Sequence, residues 1–294
     1  MEKKSISAQS MNIVKRMQQN ELTESATYRA IAECTKDEKN KKVLLQLAAE
    51  EEAHYKIWKG YSGEELQIEK GKVFRRKLTA RVFGFTFTIK LMEKGEKGAQ
   101  SIYDKLAEEI PDAREIQRQE EEHEAKLIDI LDEERLQYVG SMVLGLNDAL
   151  VELTGTLAGL TLAMANTRLI ALSGLITGIS ATLSMASSEF LSAKSEGRAD
   201  ALKSCTYTGI AYLVTVALLI LPYLLFDTQH YLYALFTMLA IVVFIIFVFN
   251  YYISVAKDLS FKNRFFEMAG ISLGVAALSF VIGIIVKNVL GIDM

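Results

Sequence analysis

Long segments without charged side chains dominate the second half of the chain and constrain its fold more than any other feature. They lie at 153–167, 169–188, 204–226, 228–256 and 268–286. About 20 apolar residues of helix cross the hydrocarbon core of a bilayer, and a helix satisfies its own backbone hydrogen bonds there. The sequence therefore predicts five membrane-spanning helices. Their approximate ranges are 139–165, 169–192, 204–226, 230–255 and 266–289.

The charged residues divide the chain at about residue 135. The chain has 33 Lys and Arg and 36 Asp and Glu residues, but residues 136–294 hold only 17 of these charges. Residues 1–135 have the composition of a water-soluble helical domain, and only two prolines interrupt the whole sequence. We therefore predict an all-α protein with a soluble domain at 1–135 and a membrane domain at 136–294.

The positions of cations and cysteines predict the cellular location of each domain. We expect no secretion signal at the start of the sequence. Most cations between spans lie in the loops after spans two and four, and the opposite loops carry only Arg168 and Asp227. By the positive-inside rule, the soluble domain is cytosolic and the C-terminus lies across the membrane. Cys34 and Cys205 lie in different halves without a CxxC motif, which favours a reducing compartment. The net charge of −3 predicts no nucleic-acid partner.

Two of the three histidines occupy the same short motif in the soluble half. His54 follows Glu51 in one Glu-x-x-His motif, and His123 follows Glu120 in a second. Residues three apart share a helix face, so each motif presents a carboxylate beside an imidazole. Two such helices facing each other supply both histidines and two carboxylates of a dimetal site.

The soluble half contains four predicted helices that can complete this site. They cover about 7–35, 37–61 and 73–110, with a possible break near Gly84, and a fourth begins at Pro111.

The two helices without a histidine motif carry the remaining candidate carboxylates. The first helix offers Glu21, two turns before Tyr28, and the third offers Glu93 and Glu96 on one face. Carboxylate oxygen with imidazole nitrogen suits Fe(II), Mn(II) or Zn(II). The alternative is that these Glu-rich helices simply face water; the repeated motif favours the metal site.

Acidic residues inside the predicted spans are the informative feature of the membrane half. Asp148 and Glu152 lie four residues apart on span one, and Met185 and Glu189 have the same spacing on span two. An ionised carboxylate at mid-membrane costs about 2.5–3.5 kcal/mol, so it normally faces water or a cation. A carboxylate with a thioether favours a transition-metal ion. The alternative is that the acids lie near the membrane–water interface and that Met185 is an ordinary packing residue.

The soluble half resembles the rubrerythrin-type ferritin-like domains over about residues 10–133. The matching motifs are Glu21…Tyr28, Glu51…His54, Glu93…Glu96 and Glu120…His123. The resemblance implies a four-helix bundle that holds two iron ions, or one iron and one manganese, and reacts with peroxide or dioxygen. The CxxC iron–sulfur module common in rubrerythrins is absent from this sequence.

The membrane half resembles the vacuolar iron transporter family over about residues 135–290. The resemblance rests on Asn147-Asp148 and on Ser184-Met185 followed by Glu189. It implies a homodimer that moves Fe(II), and sometimes Mn(II), out of the cytosol in exchange for protons, with Asp148 and Met185 in the pore. Glycine is common in the family where this chain has Ala149. The whole chain is similar to bacterial and archaeal membrane-bound ferritins, which implies a prokaryotic plasma membrane.

Two functions from different classes follow. The first is a metal exporter whose ferritin-like domain captures, oxidises or senses iron. The second is a membrane-anchored enzyme, a ferroxidase or peroxide scavenger, whose spans serve only as an anchor. Five spans that contain three acids, Asp148, Glu152 and Glu189, exceed what an anchor needs, which favours the exporter.

Two further patterns each have two interpretations. The basic and aromatic run at 72–90 suits either an anionic lipid surface or a helix with a buried face. Three glycine pairs four residues apart, at 155 and 159, 174 and 178, and 270 and 274, suit packing within one subunit or between two.

Overall fold

The computed structural model describes residues 6–96, 106–120, 138–257 and 259–290. The chain divides into two compact units, the N-terminal unit Met1–Glu134 and the membrane unit Arg135–Met294. Regular structure in the described ranges is helical throughout, which confirms the all-α prediction.

The described helices of the N-terminal unit follow local capping signals. They are α1 Ala8–Ala32, α2 Glu38–Ser62, α3 Lys70–Phe83, α4 Phe85–Glu96 and α5 at residues 112–120. The Ser7 hydroxyl accepts a hydrogen bond from the Ser10 N–H, and the Asp37 carboxylate accepts one from the Asn40 N–H. These bonds satisfy donors that the first turn of a helix leaves without partners. Gly63 ends α2 in the left-handed conformation.

Gly84 breaks the predicted third helix into α3 and α4, as the sequence indicated. Its φ of 97° lies in a region that side chains with a Cβ rarely adopt. The two segments differ in burial. No residue of α3 is buried, whereas Phe87, Ile89 and Met92 of α4 are buried.

Two apolar clusters form the core of the N-terminal unit, at different levels of α1 and α2. Tyr28 and Ile31 of α1 pack with Leu44 and Leu47 of α2 in one cluster. The other cluster joins the opposite ends of these helices, including Val14 and Trp58, to Leu106, Ile110, Ala113 and Ile116. The segments of α1 and α2 between the clusters carry Glu21, Glu24, Glu51 and His54, all buried.

The membrane unit consists of long apolar helices. In the described residues five are long and apolar enough to cross a membrane, which confirms the predicted spans. They are α6 Val139–Met164, α7 Thr167–Ser195, α8 Ala201–Leu225, α9 Tyr231–Ala256 and α10 Phe261–Leu290. The last helix begins five residues before the predicted span. Its first turns carry the charged residues Lys262 and Arg264, which the apolar span does not include.

Close contacts set the register of α6, α7 and α8. Ser141 and Thr161 of α6 contact Ser204 and Tyr223 of α8, so these two helices run in the same direction. Glu189, near the end of α7, accepts a hydrogen bond from Ser141, near the start of α6, so α7 runs in the opposite direction.

Glycines permit several of these contacts within one subunit. A Cβ on Gly178 of α7 would lie 2.5 Å from Val216 of α8, and one on Gly159 of α6 would lie 3.1 Å from the Ser279 carbonyl of α10. By contrast, nothing lies within 4 Å of the corresponding position on Gly270 or Gly274. Packing within the subunit therefore accounts for the glycine pairs of α6 and α7.

Candidate metal sites

The first candidate site is the buried polar layer between the two apolar clusters of the N-terminal unit. Glu21 comes from α1, His54 from α2 and Glu120 from α5, and each offers an atom that binds metal. One carboxylate oxygen of each Glu and one ring nitrogen of His54 all lie within 4.8 Å of one another. Glu21 and Glu120, 99 positions apart in the sequence, thus converge with His54 on a volume that could hold a metal ion.

The first Glu-x-x-His motif has the predicted geometry. The His54 Nδ1 atom lies 3.9 Å from Glu51 Oε2 and 3.8 Å from Glu120 Oε1. Its Nε2 atom lies 3.4 Å from the Gln119 amide oxygen, a contact that the sequence reasoning missed. Gln119 directly precedes Glu120, so one turn of α5 contacts both ring nitrogens.

Burial and neighbouring acids govern the charge of this layer. Burial, followed by a hydrogen bond and the charge of Glu51, raises the pKa of Glu21 well above its ordinary value. Burial also raises the pKa of Glu51 to about 7. Both shifts show that negative charge is costly here, and a bound divalent cation would offset that cost.

One acid of the layer already has a protein cation. The Glu24 carboxylate accepts a hydrogen bond from the guanidinium of Arg76 at 3.1 Å, and both side chains are largely buried. The sequence reasoning missed this contact between α1 and α3. The positive charge of Arg76 therefore balances the negative charge of Glu24.

Three predicted ligands fall outside the structural description. Residue 123 lies beyond the described end of α5, so His123 lies outside the described residues. Glu93 and Glu96 lie in α4, but their side chains are also outside the described part of the chain. These three assignments stay predictions.

The second candidate site lies in the membrane unit, where Glu189 of α7 has two hydroxyl partners. The Glu189 carboxylate accepts hydrogen bonds from Ser141 of α6, at 2.8 Å, and from Ser204 of α8. The two hydroxyls also contact each other at 2.7 Å. The sequence reasoning missed both serines, because serine is common in spans and only the register brings them to Glu189.

Asp148 and Glu152 lie on one face of α6. Leu144, Asp148 and Glu152 are spaced by four residues; Leu144 and Glu152 are exposed and Asp148 is partly exposed. The Tyr212 hydroxyl of α8 donates a hydrogen bond of 3.0 Å to Glu152. This face therefore leaves two acidic side chains incompletely covered by their own membrane unit.

Met185 lies at nearly the depth of Asp148. It is partly buried against the apolar core of the membrane unit. Because Glu189 meets Ser141, and each helical residue rises about 1.5 Å, Met185 lies about 6 Å above that level and Asp148 about 10 Å. The register thus separates them by about 4–5 Å along the helix axes.

Comparison with known families supports a metal transporter in the membrane unit. Residues 139–200 match the VIT family. The matched segment covers α6 and α7 and so includes Asp148, Glu152, Met185 and Glu189. With the five spans, the match supports an integral membrane protein and suggests transport of iron or manganese. Neither curated proteins nor solved structures gave a match.

Proposed function

We propose that the chain exports Fe(II), and also Mn(II), from the cytosol through the membrane unit in exchange for protons. The observation that carries this proposal is the incompletely covered acidic face of α6. In a single copy, Asp148 and Glu152 would lie against lipid, where a carboxylate is costly. A protein retains such residues where they face a bound cation or an aqueous path.

A homodimer would provide that environment. Two copies related by a two-fold axis bring the same surface together, so the α6 faces of both would enclose one path with acids on each side. Gly155 and Gly159 lie seven residues after Asp148 and Glu152, so further along the helix the same side of α6 packs against α10, while Gly178 of α7 packs against α8. The exposed acidic face is the one that a second copy would cover.

The side chains along this face suit a transition-metal ion. Glu189, with Ser141 and Ser204, would receive the ion at the end of the membrane unit where α6 begins and α7 ends. Met185 and Asp148 would bind the ion deeper in the membrane. Carboxylate with thioether is a donor set that hydrated Na⁺ and Mg²⁺ do not favour. Protons would replace the metal on the carboxylates as it leaves, which couples export to proton entry.

The N-terminal unit would act as a ferritin-like domain that captures, oxidises or senses iron. We propose that Glu21, Glu51, His54 and Glu120 hold two iron ions, or iron and manganese, together with Glu93, Glu96 and His123. The donor set fits these metals, because the ligand atoms of Glu21, His54 and Glu120 already converge. Such a centre, when loaded, supplies one-electron chemistry toward dioxygen or peroxide. The protein excludes bulk water by burying Glu21, Glu51 and His54.

The topology of this proposal places the N-terminal unit and the basic loops in the cytosol and the C-terminus across the membrane. Lys194 and Arg198 follow α7, and Lys257 and Lys262 lie at the junction of α9 and α10. These cations would stay on the cytosolic side by the positive-inside rule.

Reconstituted vesicles test the proposal. The full chain is inserted into liposomes, Mn(II) or Fe(II) is added outside, and metal entry is followed with an enclosed fluorescent chelator while a second dye reports internal pH. We expect metal to enter those copies whose N-terminal unit faces outward, faster when the interior is acidic, with the internal pH rising. Metal entry no faster than in protein-free liposomes would refute transport, and entry without a pH change would refute proton exchange.

The buried cluster of Glu21, His54 and Glu120 favours a second candidate, a membrane-anchored ferroxidase or peroxide-scavenging enzyme. Iron-dependent peroxide consumption that is lost in Glu51→Ala, together with no metal flux in vesicles, would support this enzyme. Glu52→Ala is the matched control, because Glu52 adjoins Glu51 but forms surface ion pairs with Arg29 and Lys56. Flux that persists in Glu51→Ala would instead support the exporter.

A further inference from the structure

Helix α3 concentrates positive charge in the N-terminal unit. Its sequence KGKVFRRKLTARVF contains six Lys and Arg residues and no Asp or Glu. Arg76 faces the unit and pairs with the buried Glu24 of α1, and Ala80 packs against the apolar cluster of α1, α2 and α4. These contacts fix one face of α3 against its own unit and define the opposite face as outward.

The outward face of α3 is apolar. Phe74, Leu78 and Val82 are 69%, 51% and 55% exposed, and their spacing of four places them on one stripe. The two helices of the basic and aromatic run at 72–90 therefore differ in burial. A buried face holds for α4, where Phe87 is 3% exposed, but is wrong for α3.

Cations border this stripe on both sides. On a helical projection Lys70, Lys77 and Arg81 lie on one side of it and Arg75 lies on the other. In the described part of the chain, Lys70, Arg75 and Arg81 form no ion pair, whereas Lys77 lies 3.7 Å from Glu33. Three cations beside the stripe are thus available to an external partner.

We propose that the outward face of α3 docks on the anionic headgroup region of the membrane that the second unit spans. An apolar stripe bordered by Lys and Arg is the pattern of a helix that lies in the membrane interface. Each Lys or Arg near an anionic surface strengthens such binding about fivefold. The covalent link to a membrane-spanning unit also keeps α3 at a high effective concentration near the bilayer.

Charge complementarity favours lipid over a second copy of the chain. A two-fold contact through this face would oppose the unpaired cations of one copy to those of the other, which like-charge repulsion disfavours. Anionic headgroups supply the opposite charge, and the acyl boundary accommodates Phe74, Leu78 and Val82. Docking leaves the Arg76–Glu24 pair in place, since Arg76 faces the other way.

The test uses the full chain in lipid nanodiscs, with a single fluorescent label on the outward stripe. Cys34 and Cys205, both free, are replaced by Ser, and Leu78→Cys carries the label. Nitroxide-bearing lipid and aqueous iodide then compete as quenchers. With anionic lipid, we expect strong quenching by the nitroxide lipid and protection from iodide. A label at Lys56→Cys, an exposed residue of α2, is the control that should remain accessible to iodide.

Charge variants make the test specific. The double variant Arg75→Gln, Arg81→Gln should lower the ratio of docked to undocked label about 25-fold. The control double variant Lys39→Gln, Lys42→Gln removes the same charge from exposed positions of α2 and should leave this ratio unchanged. Salt at 1 M screens these charges and should lower docking in the same way as the Arg75→Gln, Arg81→Gln variant. Iodide access at position 78 that is independent of lipid charge would overturn the proposal. So would disulfide cross-linking between two unlabelled copies of the Leu78→Cys variant, since it would indicate that a second copy covers this face.

Discussion

Replacing Glu51 by Gln should stabilise the metal-free N-terminal unit at neutral pH. Burial raises the pKa of Glu51 from 4.5 to about 7 in the folded state. The folded protein therefore binds a proton more tightly than the unfolded chain, and stability falls as pH rises. The contribution of Glu51 is fully present below pH 4.5 and is lost as pH rises through 7.

The size of this effect follows from the shift. One pKa unit corresponds to about 1.4 kcal/mol, so ionising Glu51 at pH 7 costs about 3 kcal/mol of folding free energy. Glutamine keeps the shape and the hydrogen-bonding capacity without the charge. Glu51→Gln should therefore gain about 2–3 kcal/mol at pH 7 and lose most of the dependence on pH between about 5 and 7.5. The same variant should lose the stabilisation that Mn(II) or Zn(II) gives the wild type.

The single tryptophan provides the assay. Trp58 is fully buried, lies one turn after His54 and belongs to the cluster beside the polar layer. Its fluorescence during denaturation with urea reports unfolding of the N-terminal unit within the full-length protein in detergent. Glu52→Gln is the control, because surface cations lower the pKa of Glu52 and its removal should not stabilise the unit. A metal-free Glu51→Gln protein less stable than wild type at pH 7 would refute this reasoning.

Two further predictions test the packing that positions the sites. Gly178→Ala should destabilise the membrane unit by about 1–3 kcal/mol, because the added Cβ would lie 2.5 Å from Val216, whereas Gly274→Ala meets open space. Unfolding in detergent would measure both, and equal midpoints would contradict the described α7–α8 contact. Gly84→Ala should destabilise the N-terminal unit by about 1–2 kcal/mol because of its positive φ, whereas Gly71→Ala, within α3, should be neutral or stabilising. Trp58 fluorescence would detect the difference, and an unchanged Gly84→Ala protein would contradict the break between α3 and α4.

Sequence periodicity and charge predicted the helices well, because both act locally. Charge-free runs located the spans, and Gly84 marked the break in the third helix. The predicted span 266–289 covers the apolar part of α10, and the helix itself extends five residues further, to Phe261, through Lys262 and Arg264.

The candidate sites were less predictable where tertiary register decides the contact. The Glu-x-x-His motif identified His54 and Glu51, because a single helix turn sets their proximity. Nothing local pairs Arg76 with Glu24, or Ser204 with Glu189, since these contacts depend on how separate helices pack. The exposure of Phe74 was likewise open, because an aromatic residue on a helix suits a buried face or an interface equally well.

The most direct test of the account compares metal entry into vesicles for Asp148→Asn and Asp227→Asn. Both variants remove one aspartate charge, but Asp148 lies on the acidic face of α6, whereas Asp227 lies in the connection after α8. Initial rates of Mn(II) entry are measured at equal protein content, with metal bound to the N-terminal unit measured in parallel. We predict that Asp148→Asn lowers the rate about 100-fold or more, while Asp227→Asn transports normally and both bind metal on the N-terminal unit. Entry through Asp148→Asn at the wild-type rate would contradict the claim that the α6 acids line the path of the metal.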